Sequence, residues 1–514
     1  MVCIPKWFLN RRTIVDRRGF IRCTGLSALS LELLMRPDIA LARGIPGNVF
    51  PTAPERGYQR VPAGAIAVSL QDLFKVGPGP SSSHTIAPLR IAGDFRAALE
   101  DRPDLVDVAA TIEARLYGSL SATGKGHRTD RAIIAGLLGQ RPETCDTALM
   151  EQLGDTSRIY PMTVAGRSFP IGAATIVWDR VQHSFPFANT MVMRLVGENG
   201  AALFEREYYS TGGGFFQWKG QPAADRGVPV HAYANMEDFK TVVAESKKNL
   251  DEIVLENETA ILKVGDSEVM AHLDLVLATM LEGVQHGLAD EGVLPGPFEF
   301  HRKARQIYQC ALKLEGGPRF MGRLSAYALA VSERNAAGRL AVTAPTLGSA
   351  GTMPALVYFM KNDLKLSQDA MRRGMLAAGL VGILCKANAS VAGAEVGCQG
   401  EIGVASAMAA AMITHATGHS LAVTEIAATM ALEHHLGMSC DPVGGFVLIP
   451  CIERNAFGAI KAYNAHVIAT NEIASQHWED LDRVIAAMLE TGRALPQPFK
   501  EMGTAGLGVS MVNC

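Results

Sequence analysis

The spacing of apolar side chains divides the chain into two regimes. From Met236 onward, the stretches MEDFKTVVAESKKNLDEIVLENE, VMAHLDLVLATMLEGVQHGLADE and FEFHRKARQIYQCALKLE repeat apolar residues at the roughly 3.6-residue period of amphipathic helices. Further helices are predicted over PALVYFMKN, AHVIATNEIASQ and LDRVIAAMLETG. Upstream the pattern is mixed. SLQDLFKVGPGPSSSHTIAPLRIAGDFRAAL reads as a short helix, a Gly/Pro turn and a longer helix built on Ile86, Leu89, Ile91 and Phe95. Val106 to Leu120 alternates like a strand and leads through a glycine-rich turn, Thr123 to Asp130, into the helical AIIAGLLG. MVMRLV and ALFEREYYS, joined by GENG, predict a hairpin over Met191 to Ser210. The stretch from about Gln217 to Ala234 is rich in proline, glycine and charge and reads as a linker.

The expected fold class is therefore α+β. A leader spans 1–67, an N-terminal α/β domain 68–216, a linker 217–235, a mostly helical domain 236–500 and a C-terminal tail 501–514. A length of 514 residues agrees with about two or three domains.

Composition narrows the classes. The chain is 48% hydrophobic and 19% charged, enough apolar material for sizeable cores. Its net charge of −3 argues against a nucleic-acid partner. Nine cysteines in so long a chain are not a secreted disulfide scaffold. Ile402 to Thr424 lacks Asp, Glu, Lys and Arg and is long enough to span a bilayer. It also holds His415, His419 and many small or hydroxyl side chains, so a buried helix or helix pair is expected, with no membrane partner. In the leader, Arg17-Arg18-Gly19-Phe20-Ile21-Arg22 and the following apolar run resemble a twin-arginine export signal, with Ala40-Leu41-Ala42 as a cleavage site. Glu32, Arg36, Pro37 and Asp38 interrupt that run. A disordered leader and a cytoplasmic location are the preferred expectation, and export the alternative.

The chemistry concentrates in Gly393 to Asn464. Cys398, Cys440 and Cys451 each stand beside helix breakers: Gly397 and Gly400, then Pro442 and Gly444-Gly445, then Pro450. Each thiol is expected at an element end, and the long apolar segment between the first two can fold back. Converging thiolates would make a metal or iron–sulfur site; buried structural thiols are the alternative. Ser81, Ser82, Ser83, His84 and Thr85 precede a helical pattern, where hydroxyls and free N–H groups suit a carboxylate as well as simple capping. His127, between glycines in a turn, is a candidate acid or base as much as a structural imidazole. Gly212, Gly213 and Gly214 let backbone N–H groups approach a ligand, or simply loosen a strand exit. Ala344 to Gly351 is another glycine-rich turn, and the chain ends on Cys514, either an inert end or a further thiolate.

DLFKVGPGPSSSHT, TGKGHRTD, YYSTGGGF, GAEVGCQGE, CDPVGG and PCIERNA together resemble the bacterial single-chain, iron–sulfur-dependent L-serine dehydratases, over Val68 to Cys514. The resemblance implies a beta-chain-like α/β domain fused to a helical alpha-chain-like domain, and a homodimer. It implies conversion of L-serine to pyruvate and ammonia by a [4Fe–4S] cluster without pyridoxal phosphate. Cys398, Cys440 and Cys451 would hold the cluster, leaving one iron for substrate, which Cys514 covers at rest. His127 would be the base, with Ser81, Ser83 and His84 on the substrate carboxylate and Gly212 to Gly214 in support. The other cysteines match no ligand position. The family's APTNG loop is here Ala344-Pro345-Thr346-Leu347-Gly348, so Leu347 removes an amide side chain. An iron–sulfur sensor or electron carrier without enzymatic activity is the main alternative; a pyridoxal-phosphate dehydratase and a structural zinc site are the others.

Overall fold

A computed structural model of the chain describes residues 66–511, apart from Gln182 and Ala223. The leader reading up to residue 65, and Cys514, lie outside the described residues. The strands are β1 (Val76–Pro78), β2 (Ala109–Leu116), β3 (Ile159–Val164), β4 (Arg167–Gly172), β5 (Ile176–Trp178), β6 (Thr190–Gly197), β7 (Ala202–Ser210), β8 (Phe216–Trp218) and β9 (Leu340–Val342). Five of them form a sheet in the order β5-β2-β6-β7-β8, parallel only between β2 and β5. Its apolar face, including Ile112, Leu116, Met191, Met193 and Leu195, packs with Leu89, Ile91 and Phe95 of the helix Ala87–Glu100 and with Ile133 of the helix Thr129–Leu137.

The predicted hairpin is β6–β7. The strand predicted over Val106 to Leu120 is shorter at both ends. Pro103, favourable at a helix start, opens a short helix at Pro103–Asp107. Gly118, at φ 57°, turns the chain into another at Ser119–Ala122. Gln217 and Trp218, read from sequence as linker, pair with Tyr209 and Tyr208 as part of β8.

The downstream part is helical, as its periodicity predicts. The uncharged segment folds as a pair of helices, Val404–Ala416 and Leu421–Glu433. The first is buried along almost its whole length, with Ala405, Ala407, Ala409, Ala410 and Ala411 inaccessible to solvent. Such small side chains let neighbouring helices approach closely; Ser406 Oγ reaches the Gly458 carbonyl at 2.8 Å in the helix Cys451–Asn471. Among the described residues, no helix is long and apolar enough to cross a membrane.

The upstream sheet region and the helical region meet along a tight seam. β1 pairs with β9, and beside it the Thr343 N–H donates to the Lys75 carbonyl while the Lys75 N–H donates to Thr343 Oγ1. A Cβ on Gly126 would lie 2.3 Å from the Gly445 carbonyl oxygen, so the histidine turn touches the CDPVGG loop backbone to backbone. Gly126→Ala is expected to cost about 1–3 kcal/mol through this clash. Thermal unfolding checks it: the midpoint falls, whereas Gly317→Ala, in open space on a helix, leaves it unchanged or raises it.

Candidate active site

The three thiols all sit at element ends. Cys398 precedes a wide π-type turn, Gln399–Gly403, that feeds the helix Val404–Ala416. Cys440 lies in a loop and donates its N–H to the Phe499 carbonyl. Cys451 opens the helix that follows Pro450. Glu401 Oε2 lies 3.8 Å from Cys398 Sγ and 4.0 Å from Cys440 Sγ, and the three atoms fall within 4.8 Å of one another. Cys451 is close enough to feel the charge of Cys398. One turn on, the Arg454 guanidinium bonds the Ser439 carbonyl at 2.8 Å and Asp441 at 3.4 Å. Burial works to lower its pKa, but the charges of Cys398, Cys451 and Cys440 outweigh this and raise it. Hydrogen bonding to Cys398 and burial push the Cys440 thiol well up, and burial with the neighbouring Cys398 does the same to Cys451. Burial, reinforced by Glu501, lifts Glu401 to about 7. Two glycines clear the space: a Cβ on Gly393 would sit 3.2 Å from Cys440 Sγ, and one on Gly348 2.9 Å from Glu401 Oε1.

The serine turn is built in the same way. Ser81 Oγ accepts the His84 N–H, and residues Ser82–Ile86 form a second π-type turn leading into a long helix. Turns of this type recur at functional sites. Ser83 Oγ lies 2.8 Å from His84 Nδ1, 3.2 Å from Ser81 Oγ and 3.3 Å from Glu501 Oε1. His84 Nε2 is 3.1 Å from both Ser119 Oγ and Thr123 Oγ1. Those hydroxyls donate their protons to the carbonyls of Glu501 and Ser119. His84 Nε2 must therefore carry the hydrogen, and its Nδ1 accepts from Ser83. The His127 ring stands 4.5 Å from that of His84, and its Nδ1 lies 2.8 Å from the Thr123 carbonyl. A carbonyl only accepts, so Nδ1 is protonated and Nε2 keeps the free lone pair. Burial lowers the pKa of His84 to about 4; burial and the charge of His84 lower His127 to about 3. A cleft lined by Lys125, Gly126, Arg128 and Phe446 borders the same turn.

Gly212, Gly213 and Gly214 all have left-handed φ, from 59° to 82°. Cations hold the carbonyls of this loop: Lys386 Nζ at 2.5 Å from Thr211, Lys75 Nζ at 3.3 Å from Gly213 and Arg90 at 2.7 Å from Gly214. Ser210 Oγ ties its start to the Ser83 carbonyl.

The family model for the serine dehydratase beta chain matches residues 69–221, and that for the serine dehydratase alpha chain matches 245–508. The chain is 38% identical to an L-serine dehydratase of Streptomyces coelicolor over 465 residues, 87% of this chain and 100% of that one. It is 39% identical to an L-serine dehydratase of Haemophilus influenzae over 458 residues, 87% of this chain and 99% of that one. Against L-serine dehydratase 2 of Escherichia coli it is 37% identical over 471 residues, 87% and 100% of the two chains. The chain belongs to the serine dehydratase family.

In this serine dehydratase family member the fold brings Ser81, Ser83, His84 and His127 together, and gathers Cys398 and Cys440 with Glu401 in a second cluster, with Cys451 near enough to feel the charge of Cys398. Glu501 joins the two. Its N–H donates to the Cys440 carbonyl at 2.7 Å, while its carboxyl meets Ser83 and its carbonyl takes the Ser119 hydroxyl. Burial and the charge of Cys398 raise its pKa to about 7. Residues 501–511, read from sequence as a flexible tail, are instead held in place, with Leu507 N–H donating to Asp441 Oδ2 at 2.7 Å. Sequence reasoning passed over Glu401, Arg454, Asn189 and Glu501. The first two stand inside the GAEVGCQGE and PCIERNA motifs, each three residues after a cysteine. The others carry no local signal. Leu347 is buried in the apolar core, and its carbonyl still takes Asn335 Nδ2 at 2.9 Å. The polar contact to Glu401 comes from the neighbouring Thr346.

A histidine whose pKa is depressed in the fold binds protons more readily when unfolded, so its burial costs stability as the pH falls below 6.5 and until the folded pKa is reached. Between pH 6.5 and 5.0, His127→Asn is expected to lose about 2 kcal/mol less stability than the parent. Urea midpoints at the two pH values measure this; equal losses contradict a neutral, buried imidazole.

Proposed function

We propose that the chain converts L-serine to pyruvate and ammonia, with a [4Fe–4S] cluster held by Cys398, Cys440 and Cys451. The observation that carries this reading is the link through Glu501 between a thiol cluster and a serine–histidine site. The donor set fits the group. Thiolates are the ligands iron–sulfur clusters take, and buried thiols with raised pKa values give up their protons only to a strong cation. Gly348 and Gly393 leave room beside them, and Arg454 supplies a positive charge against the thiolates. When bound, the cluster supplies a Lewis-acidic iron for the substrate hydroxyl.

The chain's own residues do the rest. Ser81 and Ser83, at a helix start, hold the carboxylate, the Ser83 hydroxyl turning its single proton from His84 Nδ1 to the substrate as it binds. The 211–214 loop, clamped by Lys75, Arg90 and Lys386, supports them. His127 Nε2 takes the Cα proton. A carboxylate bound beside this imidazole favours its charged form and draws its pKa up from the depressed value. Loss of the hydroxyl as water leaves aminoacrylate, which tautomerises and takes up water to give pyruvate and ammonia. A cytoplasmic homodimer completes the reading.

His127→Ala is expected to keep its iron and visible absorbance and to lose about 10²–10⁴-fold in turnover. Cys451→Ser is expected to lose the absorbance. Anaerobic spectra with a pyruvate assay check both: full turnover in the first variant removes His127 as the base, and intact absorbance in the second removes Cys451 as a ligand.

A further inference from the structure

Asn189 immediately precedes β6 and is only 2% exposed. Its surroundings are those of the candidate site. Its carbonyl accepts the Ser210 N–H at 2.9 Å, and the preceding carbonyl, of Ala188, accepts the Ser119 N–H at 3.3 Å. Ser210 bonds the Ser83 carbonyl, and Ser119 the Glu501 carbonyl. The Asn189 side chain lies against the Glu501 carboxyl. Among the described residues, two oxygens at this point have no hydrogen-bond partner although both are buried: Asn189 Oδ1 and Glu501 Oε2. Glu501 is 5% exposed. A buried acceptor left unmade costs about 1–3 kcal/mol, so a pair of them beside one another calls for a donor.

We infer that Asn189 Oδ1 and Glu501 Oε2 receive the α-ammonium group of the amino-acid substrate. This assignment rests on the reading that L-serine is the substrate, and it names the part of L-serine that these residues recognise. An ammonium carries three N–H donors and no acceptor. A carboxylate or hydroxyl-bearing carbon offers these two oxygens either repulsion or a single weaker bond. Ser83 Oγ lies 3.3 Å from the other carboxyl oxygen, Glu501 Oε1, and Ser81 Oγ 3.2 Å from Ser83 Oγ, so the hydroxyls assigned to the carboxylate end adjoin the pair. The two ends of the substrate's α-carbon are thus read by groups of opposite hydrogen-bonding character, and the pair selects amino acids over the corresponding 2-deamino acids.

The test uses the anaerobic, iron-loaded full chain. KM for L-serine is measured beside the competitive Ki of 3-hydroxypropanoate, which keeps the carboxylate and hydroxyl and lacks the ammonium. In Asn189→Ala, KM is expected to rise by about tenfold to a hundredfold, the loss of one hydrogen bond to a charged group, while Ki stays within about twofold. Asn189→Ser carries the same comparison should the alanine variant fold poorly. An unmoved KM, or KM and Ki rising together, overturns the assignment. Absence of pyruvate from the parent protein overturns the underlying substrate reading instead, so the two failures are told apart.

Discussion

One residue, Glu501, holds the serine–histidine turn against the cysteine loops, and the rest of the site depends on it. Its backbone N–H and carbonyl are engaged by Cys440 and Ser119, and its carboxyl by Ser83. Each bond adds only about 0.5–1.5 kcal/mol, but each also satisfies a buried group that would cost more if left alone. A buried carboxyl is itself unfavourable, which is why its pKa rises to about 7. The fold accepts that cost where it joins two regions that, among the described residues, pair strands only through β1 and β9.

The two sides of Glu501 have opposite electrostatic characters. On the thiol side, sulfurs, Glu401 and Arg454 crowd together: burial and close like charges raise Glu401 and Cys451, a hydrogen bond to Cys398 with burial raises Cys440, and the thiolate charges raise Arg454 against its burial. On the imidazole side, His84 and His127 are driven neutral and their tautomers are fixed by carbonyls and hydroxyls. A neutral lone pair on His127 Nε2 is thereby available above about pH 3. On the proposed reading, the first environment suits an electrophile for the hydroxyl and the second a base for the Cα proton, with the substrate between.

Much of this was legible in the chain, and for physical reasons. The helical half follows from apolar periodicity, and the β6–β7 hairpin from two alternating runs around GENG. The thiols had to sit at element ends because glycine, proline or both stand beside each of them. What sequence alone missed depends on distant contacts. Val106 to Leu120 alternates throughout, yet Pro103 and Gly118 convert its flanks to helix. The tail looked loose because it is rich in glycine, yet Gly506 is what lets the chain pass Asp441, where a Cβ would lie 2.3 Å from its Oδ2. A lone Glu501 or Asn189 gives no pattern at all; their roles arise from what lies opposite them across the seam.

The most direct measurement is an anaerobic absorbance spectrum of the purified protein, taken before and after adding L-serine, with pyruvate followed in the same cuvette. The proposed function predicts a broad iron–sulfur absorbance that changes when L-serine is added, with pyruvate accumulating. A spectrum indifferent to L-serine with no pyruvate formed, or pyruvate formed by protein free of iron, would contradict it.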